Sequence, residues 1–205
     1  MDDETAKTLN VVAERGNQMS RISIVEVASA NPEQLEARAA IKKAWGRVPN
    51  IGEVIALSLP LTRAILDFDD ALGAGTFRDD SAELLAIAVS EQNRCAYCLS
   101  AHSAAGRAAG VASADVATAR TGSVTDPKMT AALTFAQGVV RGRGHVTDDA
   151  LAAVREAGWS DVDIVEIVGH VIATTLSNYL HHLSNVPIDY PLVTFAHDAD
   201  QSRER

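Results

Sequence analysis

The chain has few aromatic residues and little cysteine. Phe, Tyr and Trp make up only 4% of its 205 residues, although hydrophobic residues as a whole reach 47%. An ordinary apolar fraction with few large rings favours closely packed helices whose contacts are made by small side chains. The length suits one domain with a substantial core, and we expect a single domain.

Basic residues are also in deficit, with 18 Lys and Arg against 27 Asp and Glu and a net charge of −9. Proteins that bind nucleic acid or anionic membranes are expected to present a basic face. No apolar run is long enough to span a bilayer, and the acidic start MDDETAKTLN lacks the positive flank and apolar stretch of a signal peptide. We therefore expect a cytoplasmic protein that binds neither nucleic acid nor membrane.

The only two cysteines stand close together as Cys95 and Cys98. Because the cytoplasm keeps thiols reduced, a disulfide between them would be transient and catalytic. His102 follows Cys98 by four residues, which on a helix places imidazole and thiol on one face. Asn93 and Arg94 interrupt the apolar run LLAIAV and predict a helix break. The next helix would then begin near Cys95, where its free N–H groups favour negative charge on a sulfur.

Other interpretations of the cysteine pair stay open. A structural disulfide would close a very short loop and stabilise little, and free buried cysteines are often simply small core residues. A structural zinc site needs four ligands. The remaining histidines show no pairing with the motif at zinc-ligand spacing: His145, His170, His181, His182 and His197. The neighbouring His102 favours redox chemistry, and we expect no metal and no cofactor.

Glu83 opens the helix that precedes the cysteines. Asp80 and Glu83 have the spacing of a capping box, in which a carboxylate bonds back to the backbone at the helix start. The same carboxylate adjoins the apolar run and could also face the cysteine site. Glu91 is nearer to the cysteines in sequence, but it lies more than two turns beyond Glu83, on a face that we predict to be solvated.

A larger pattern joins these residues at fixed spacing, E-(x)11-C-x-Y-C-x-x-x-H, formed by Glu83, Cys95, Tyr97, Cys98 and His102. This pattern resembles the signature of the AhpD-like alkylhydroperoxidases within the carboxymuconolactone decarboxylase superfamily. The similarity extends more loosely over residues 48–190. It implies an all-α fold, an AhpD-like helical bundle of about eight to nine helices.

The resemblance also implies roles for these side chains. Cys98 attacks the peroxide, Cys95 resolves the oxidised sulfur and is the more exposed of the two, and Glu83 with His102 forms a proton relay. Tyr97 is a departure, because the founding AhpD proteins have a histidine there, whereas a peroxidase-related branch has tyrosine. The implied function is a thiol-dependent peroxidase with an antioxidant role, acting on hydroperoxides and recycled by a thiol or protein reductant that the sequence does not identify.

Two other functions remain open. Decarboxylase or lactonase members of the same superfamily act on ring-cleavage metabolites, but these relatives generally lack the cysteine pair. A redox-sensing or disulfide adaptor protein would need the same poised dithiol as a peroxidase, so the residues do not separate the two.

Helix signals recur along most of the chain. Caps, proline at first turns and glycine at helix ends predict helices over 32–46, 51–58, 60–73, from 79–81 to the break at 93–94, from near 95 to 110, 113–120 with Ser113 as cap, 126–142 with Asp126 as cap, 149–158 and 159–183. Residues 21–30 have a strand-like texture but no partner strand, so we expect an extended segment. The chain divides into an N-terminal arm (1–30), a helical domain (31–190) and a C-terminal tail (191–205).

Apolar residues before the motif are candidates for the wall of a substrate pocket. The resemblance places this segment beside the site, although ordinary core packing is the more frequent role for residues in such a pattern. The candidates are Leu57, Leu61, Ile65 and Phe68.

The last predicted helix, 159–183, is apolar around most of its circumference. A helix with more apolar surface than one packed face requires is expected to meet another subunit. We expect a symmetric homo-oligomer, and the resemblance implies a dimer, trimer or hexamer. In the family, the counterparts of Asn178, Tyr179 and His182 lie near the subunit interface or the site entrance.

Overall fold

The computed structural model describes residues 20–196, and within that range the secondary structure is helical, with no β-strand. The α-helices of this range are α1 (Pro32–Trp45), α2 (Asn50–Ile55), α3 (Leu59–Gly73), α4 (Asp80–Gln92), α5 (Ala96–Ala108), α6 (Ser113–Thr118), α7 (Pro127–Gly142), α8 (Asp148–Glu156) and α9 (Asp161–Ser184). A short 3-10 turn, Ala119–Thr121, follows α6. The predicted all-α fold is confirmed.

Several helix starts form as local chemistry predicts. Asn31 caps α1 by accepting a hydrogen bond from the Gln34 N–H at 2.9 Å, and the Gln34 side chain accepts from the Asn31 N–H at 3.1 Å. These reciprocal bonds satisfy donors that a helix start leaves without intrahelical partners. Gly46 ends α1 with φ of 75°, a left-handed conformation that glycine adopts without steric cost.

Two predicted caps are wrong. The N-cap of α4 is Asp79, which makes no side-chain capping bond, and Asp80 is already helical. The Asp80 carboxylate accepts from the next backbone N–H at 2.7 Å, while the Glu83 side chain turns towards α5 instead of back to the helix start. At α6 the N-cap is Ala112, not Ser113.

Helix α4 lies at the centre of the fold and packs against α5, α6, α7 and α9. Its residues from Leu84 to Glu91 are all buried, which explains why the sequence there reads as a continuous apolar run. A second cluster of buried residues joins α1, α2 and the start of α5, and it contains both cysteines: Ala37, Ile41, Ile51, Ile55, Cys95, Tyr97 and Cys98. The dithiol therefore lies within the packed body of the protein.

Glu91 is buried rather than solvated, so the prediction of a solvated face is wrong. It is 8% exposed, and its Oε1 accepts a hydrogen bond from the Ala196 N–H at 2.8 Å. The chain after residue 190 returns over α4 and α5 and gives Glu91 a backbone partner that local sequence does not reveal. This hydrogen bond directs the Glu91 carboxylate towards Ala196 and away from the cysteines.

The chain ends that are described run in extended form over the helices. The Arg21 N–H donates to the Ser184 carbonyl at 2.7 Å, and the Val193 N–H donates to the Ser100 hydroxyl at 2.9 Å. Most of the predicted arm and tail, residues 1–19 and 197–205, lies outside the described residues, as does His197. None of the helices described is both long and apolar enough to cross a membrane.

Candidate active site

The break between α4 and α5 places the two cysteines. Arg94 turns the chain with φ of 56°, and Cys95 is the N-cap of α5, as predicted from the interruption of the apolar run. Its sulfur accepts a hydrogen bond from the Cys98 N–H at 3.5 Å. Both cysteines are free thiols. The sulfurs thus meet at a helix N-terminus, where partial positive charge stabilises a thiolate.

Cys98 is surrounded by groups that favour its ionised form. The Cys95 thiol donates a hydrogen bond to its sulfur, and this lowers the pKa of Cys98 below the ordinary thiol value. Burial acts in the opposite direction, while the charge of His102 and a hydrogen bond from the Asn178 amide lower the pKa further. Of the two sulfurs, Cys98 is therefore the one that forms a thiolate more readily at neutral pH.

Glu83 and His102, which the resemblance predicts to form a proton relay, are joined as an ion pair. The His102 Nδ1 lies 2.8 Å from Glu83 Oε2, and both side chains are partly buried, with 30% and 25% exposed. Burial alone would lower the pKa of His102, but the Glu83 carboxylate, with Cys98 and Asp69, raises it to about 9. Because His102 follows Cys98 by one helical turn, a proton-carrying imidazolium stands beside the thiolate at neutral pH.

Asp69 brings a second carboxylate to this pair from α3. Loss of solvent around the group raises the pKa of Asp69 to about 6, against the opposing charge of His102. Sequence reasoning missed Asp69, because nothing in its local pattern indicates that α3 and α5 face each other here.

Cys95 is the more enclosed of the two sulfurs, so the expectation of a more exposed resolving cysteine is wrong for the single chain. It is 0% exposed, against 3% for Cys98. The hydrogen bond that it donates to Cys98, together with burial, raises the pKa of Cys95. The cause is structural, since the Tyr97 ring and helix α9 cover the N-cap of α5. Cys95 keeps its proton while Cys98 is ionised.

Tyr97, the residue that departs from the founding family's histidine, is an anchor. Its hydroxyl donates to Asp189 Oδ1 at 2.6 Å and accepts from the Ile51 N–H at 3.1 Å, and Asp189 also pairs with Arg47. Burial, and then the bond to Asp189, raise the pKa of Tyr97 above its ordinary range. The phenol stays protonated and joins α5 to the start of α2 and to the loop after α9.

Helix α9 supplies side chains that the motif does not contain. Ser177 Oγ lies 3.8 Å from Cys98 Sγ, and His181 Nδ1 lies 3.7 Å from Cys95 Sγ. Asn178 is fully buried, and its amide oxygen accepts from the Asn93 amide at 2.9 Å. Ser177 and His181 were missed because they are about 80 residues distant in sequence from the cysteines. In the sequence, the adjacent pair His181-His182 was the signal that could have pointed to this end of α9 as part of the site.

The pocket candidates occupy different environments. Leu57 and Ile65 pack against the core cluster that holds the cysteines. Phe68 is 37% exposed on α3. For Leu57 and Ile65, packing around the dithiol is what the structure shows, and a role towards substrate remains a prediction.

Comparison with known proteins identifies the architecture. The carboxymuconolactone decarboxylase family pattern matches residues 60–138, which include Glu83, both cysteines and His102. A solved structure from Ralstonia eutropha JMP134, an uncharacterized peroxidase-related protein with an alkylhydroperoxidase AhpD core, superposes with a TM-score of 0.71 at 25% identity. That match covers 84% of this chain and 94% of that one. The family match and the shared fold support placing the chain in the AhpD and carboxymuconolactone decarboxylase superfamily.

Other solved structures share the fold at lower identity. An uncharacterized peroxidase-related protein from Silicibacter sp. TM1040 is 20% identical with a TM-score of 0.67, over 87% of this chain and 95% of that chain. A cysteine-to-alanine variant of the debrominase Bmp8, in complex with 2,3,4-tribromopyrrole, is 17% identical with a TM-score of 0.67, over 90% of this chain and 98% of that chain. No curated protein matches the sequence. The fold therefore occurs in proteins named for different reactions.

Proposed function

We propose that the chain is a thiol peroxidase in which Cys98 reduces hydroperoxides and Cys95 completes the cycle. The observation that carries this proposal is the Glu83–His102 ion pair of 2.8 Å beside a thiol whose pKa is lowered. A peroxide needs both a thiolate to attack it and an acid to protonate the oxygen that leaves. Charged His102 and ionised Cys98 supply these two functions together at neutral pH.

The first step forms a bond between Cys98 Sγ and one peroxide oxygen while the O–O bond breaks. The leaving alkoxide takes a proton from His102, which Glu83 holds in position, so the product is an alcohol, or water when the substrate is hydrogen peroxide. Cys98 becomes a sulfenic acid. Cys95 then attacks Cys98 sulfur, giving the Cys95–Cys98 disulfide and water. A dithiol or protein reductant returns both sulfurs to thiols.

A stopped-flow assay of the reduced protein with cumene hydroperoxide tests this function. Without added reductant, the wild-type protein is expected to consume about one equivalent of peroxide per chain, because one dithiol supplies two electrons. Cys98→Ser is expected to consume none above the uncatalysed rate. Undiminished consumption by Cys98→Ser would exclude Cys98 as the nucleophile.

The same dithiol suggests a second candidate, reductive debromination. One structural neighbour is named a debrominase, and a dithiol with an adjacent proton donor can exchange a carbon–bromine bond for carbon–hydrogen, yielding bromide, a proton and the disulfide. Bromide release from a brominated pyrrole, measured beside the peroxide assay on the same preparation, compares the two substrates. Faster single turnover with the brominated pyrrole would favour this second function.

Assembly belongs to this proposal, because part of α9 is left uncovered by the other residues of the described range, 20–196. Its exposed apolar side chains are 37% to 71% exposed and recur every three or four residues, forming one stripe: Val162, Val165, Val168, Ile172, Leu176, Tyr179 and Leu183. A stripe of this length is more apolar than a solvated helix face normally is. We propose that a second copy of the chain covers it, in a symmetric homo-oligomer.

Light scattering on the purified protein tests the assembly. The wild type is expected to exceed its chain mass of 21.7 kDa, and the double variant Val165→Glu/Ile172→Glu to shift towards that mass. Val27→Glu is the matched control, since Val27 is 58% exposed but lies outside the stripe. A wild-type protein that is monomeric at micromolar concentration would contradict the proposal.

A further inference from the structure

His181, on helix α9, lies against the sulfur of Cys95. Its Nδ1 is 3.7 Å from Cys95 Sγ, and its Nε2 is 3.1 Å from the Val186 carbonyl oxygen. A carbonyl can only accept, so Nε2 carries the proton of this contact. In the neutral ring, Nδ1 then presents its lone pair to the Cys95 thiol.

The environment holds this ring in place. His181 is 9% exposed, and its ring packs on Tyr97 with centroids 4.8 Å apart. Burial lowers the pKa of His181, with His182 adding to the effect and the Val186 carbonyl opposing it. The imidazole is therefore neutral at physiological pH and able to accept a proton.

The reaction cycle requires such an acceptor. In the resting enzyme the Cys95 thiol donates its hydrogen bond to the Cys98 thiolate. Once Cys98 has become a sulfenic acid, that anionic acceptor is gone, yet Cys95 has to lose its proton before it can attack. Cys95 is 0% exposed, so bulk water does not reach it to take the proton.

We propose that His181 is the general base of the resolving step, accepting the Cys95 proton at Nδ1. This role rests on the thiol cycle proposed above. The Cys95 thiolate forms the S–S bond to Cys98, the S–O bond of the sulfenic acid breaks, and hydroxide leaves. The proton taken up by His181 balances that hydroxide, so the net products are the disulfide, one water and neutral His181.

Titratable groups face His181 from two elements. Cys95 and Tyr97 come from the start of α5, and His182 lies beside it on α9, with ring centroids 6.4 Å apart. Asp189 bonds the far end of Tyr97. Since Tyr97 stays protonated, the groups that change charge in this step are Cys95 and His181.

His181→Gln separates the basic role from the structural one. A glutamine amide can keep the donor to the Val186 carbonyl but has no basic nitrogen for Cys95. With stoichiometric cumene hydroperoxide at pH 7, the first turnover of peroxide is expected to stay within about twofold of wild type. Disulfide formation, followed by acid quench and intact mass, is expected to slow at least ~100-fold, and a dimedone adduct on Cys98 to accumulate.

The pH profile is the readout that packing alone would not change. Without a base, the disulfide step in His181→Gln is expected to rise about tenfold per pH unit, as the Cys95 thiolate becomes available. The wild-type step is expected to flatten above the pKa of His181. His145→Gln is the matched control, since His145 lies on the exposed loop before α8. Equal disulfide rates in wild type and His181→Gln, or equal slowing of both steps at every pH, would overturn the proposal.

A second assay needs no peroxide and keeps this inference apart from the peroxidase function. With 4,4'-dithiodipyridine, Cys98 releases one thiopyridone on forming a mixed disulfide, and Cys95 releases a second when it displaces the other half. His181→Gln is expected to slow only the second release. Two unchanged phases would refute the role of His181, whereas a slowed second phase in a protein inert to peroxide would refute only the peroxidase function.

Discussion

Cys95 and Cys98 are the same residue type, one helical turn apart, and the fold shifts their pKa values in opposite directions. Cys98 accepts hydrogen bonds from Cys95 and Asn178 and lies near the charge of His102, so its pKa falls. Cys95 donates its bond to Cys98 and is fully enclosed, so its pKa rises. The position of each sulfur among donors and acceptors, rather than its exposure, decides which one is ionised.

Different helices supply the groups that surround each of the two cysteines. Cys98 shares α5 with His102, and Glu83 comes from α4, so the proposed nucleophile and the proposed acid lie within one helical hairpin. Cys95 instead contacts His181, which comes from α9. Contacts with residues of neighbouring helices therefore give the two cysteines of one motif different chemical properties.

The largest expected effect comes from removing each sulfur in turn. Cys98→Ser is expected to lose the first turnover of peroxide by more than ~1,000-fold, because a serine hydroxyl is not ionised at neutral pH. Cys95→Ser is expected to retain that turnover but to stop there, with a sulfenic acid on Cys98 that dimedone traps. Intact mass after one equivalent of cumene hydroperoxide measures both. A trapped sulfenic acid on Cys95 in the Cys98→Ser protein would reverse the assignment.

Removing His102, the proposed proton donor, should reduce the difference in pKa between Cys98 and Cys95. His102→Gln is expected to raise the Cys98 pKa by about one unit or more, since an opposite charge nearby favours the thiolate. Its first turnover is expected to slow by about 100-fold through loss of the general acid. Iodoacetamide alkylation across pH measures the pKa and stopped flow the rate, with His145→Gln as control. A wild-type Cys98 pKa at or above ~8.5 would instead favour inert sulfurs and the decarboxylase alternative.

A variant of Tyr97 tests whether this residue stabilises the start of α5 or takes part in the reaction of Cys98. Tyr97→Phe removes the hydrogen bonds to Asp189 and Ile51, which is expected to lower the free energy of unfolding by about 1–3 kcal/mol. Asp189 keeps Arg47 as a partner, so the site should not collapse. Urea unfolding measures the loss. The alkylation pKa of Cys98 is expected to stay unchanged, and a shift comparable to that of His102→Gln would show that Tyr97 takes part in the chemistry.

The smallest expected effect is on the pH dependence of the free energy of unfolding. The pKa of His102 is about 9 in the fold and near 6.5 when unfolded. A raised pKa means that the folded state holds the proton more tightly, so this stabilisation is complete below pH 6.5 and is lost as pH rises through about 9. Its size is on the order of 1 kcal/mol after solvent screening.

The thiolate contributes with the opposite sign, so the measurement belongs in the Cys98→Ser background. There, the unfolding free energy of Cys98→Ser minus that of Cys98→Ser/His102→Gln is expected to shrink between pH 6.5 and pH 9. Asp69, whose pKa is raised to about 6, also acts on His102 and is still partly protonated at the lower end of this window. A difference that does not vary with pH would show that His102 is not charged in the fold.

Local sequence predicted the parts of the site that lie within one helical hairpin. The spacing of Cys98 and His102 depends only on the helix period, and the break at Asn93 and Arg94 depends on the end of an apolar run. The position of the Glu83 side chain was harder to predict, because the spacing of Asp80 and Glu83 also fits a capping box. That capping box does not form in the structure. Glu91 was misjudged, since its backbone partner at Ala196 comes from 105 residues away.

By itself, the sequence determined an all-helical chain, its main helix boundaries and a dithiol at a helix start with an imidazole one turn away, because each depends on short-range periodicity and capping. Only the tertiary structure decided which sulfur is ionised, that Tyr97 is an anchor, and that Asp69 and His181 reach the site. Those outcomes depend on burial and on contacts between α3, α5 and α9. Such contacts are set by how helices pack, and no local spacing encodes them.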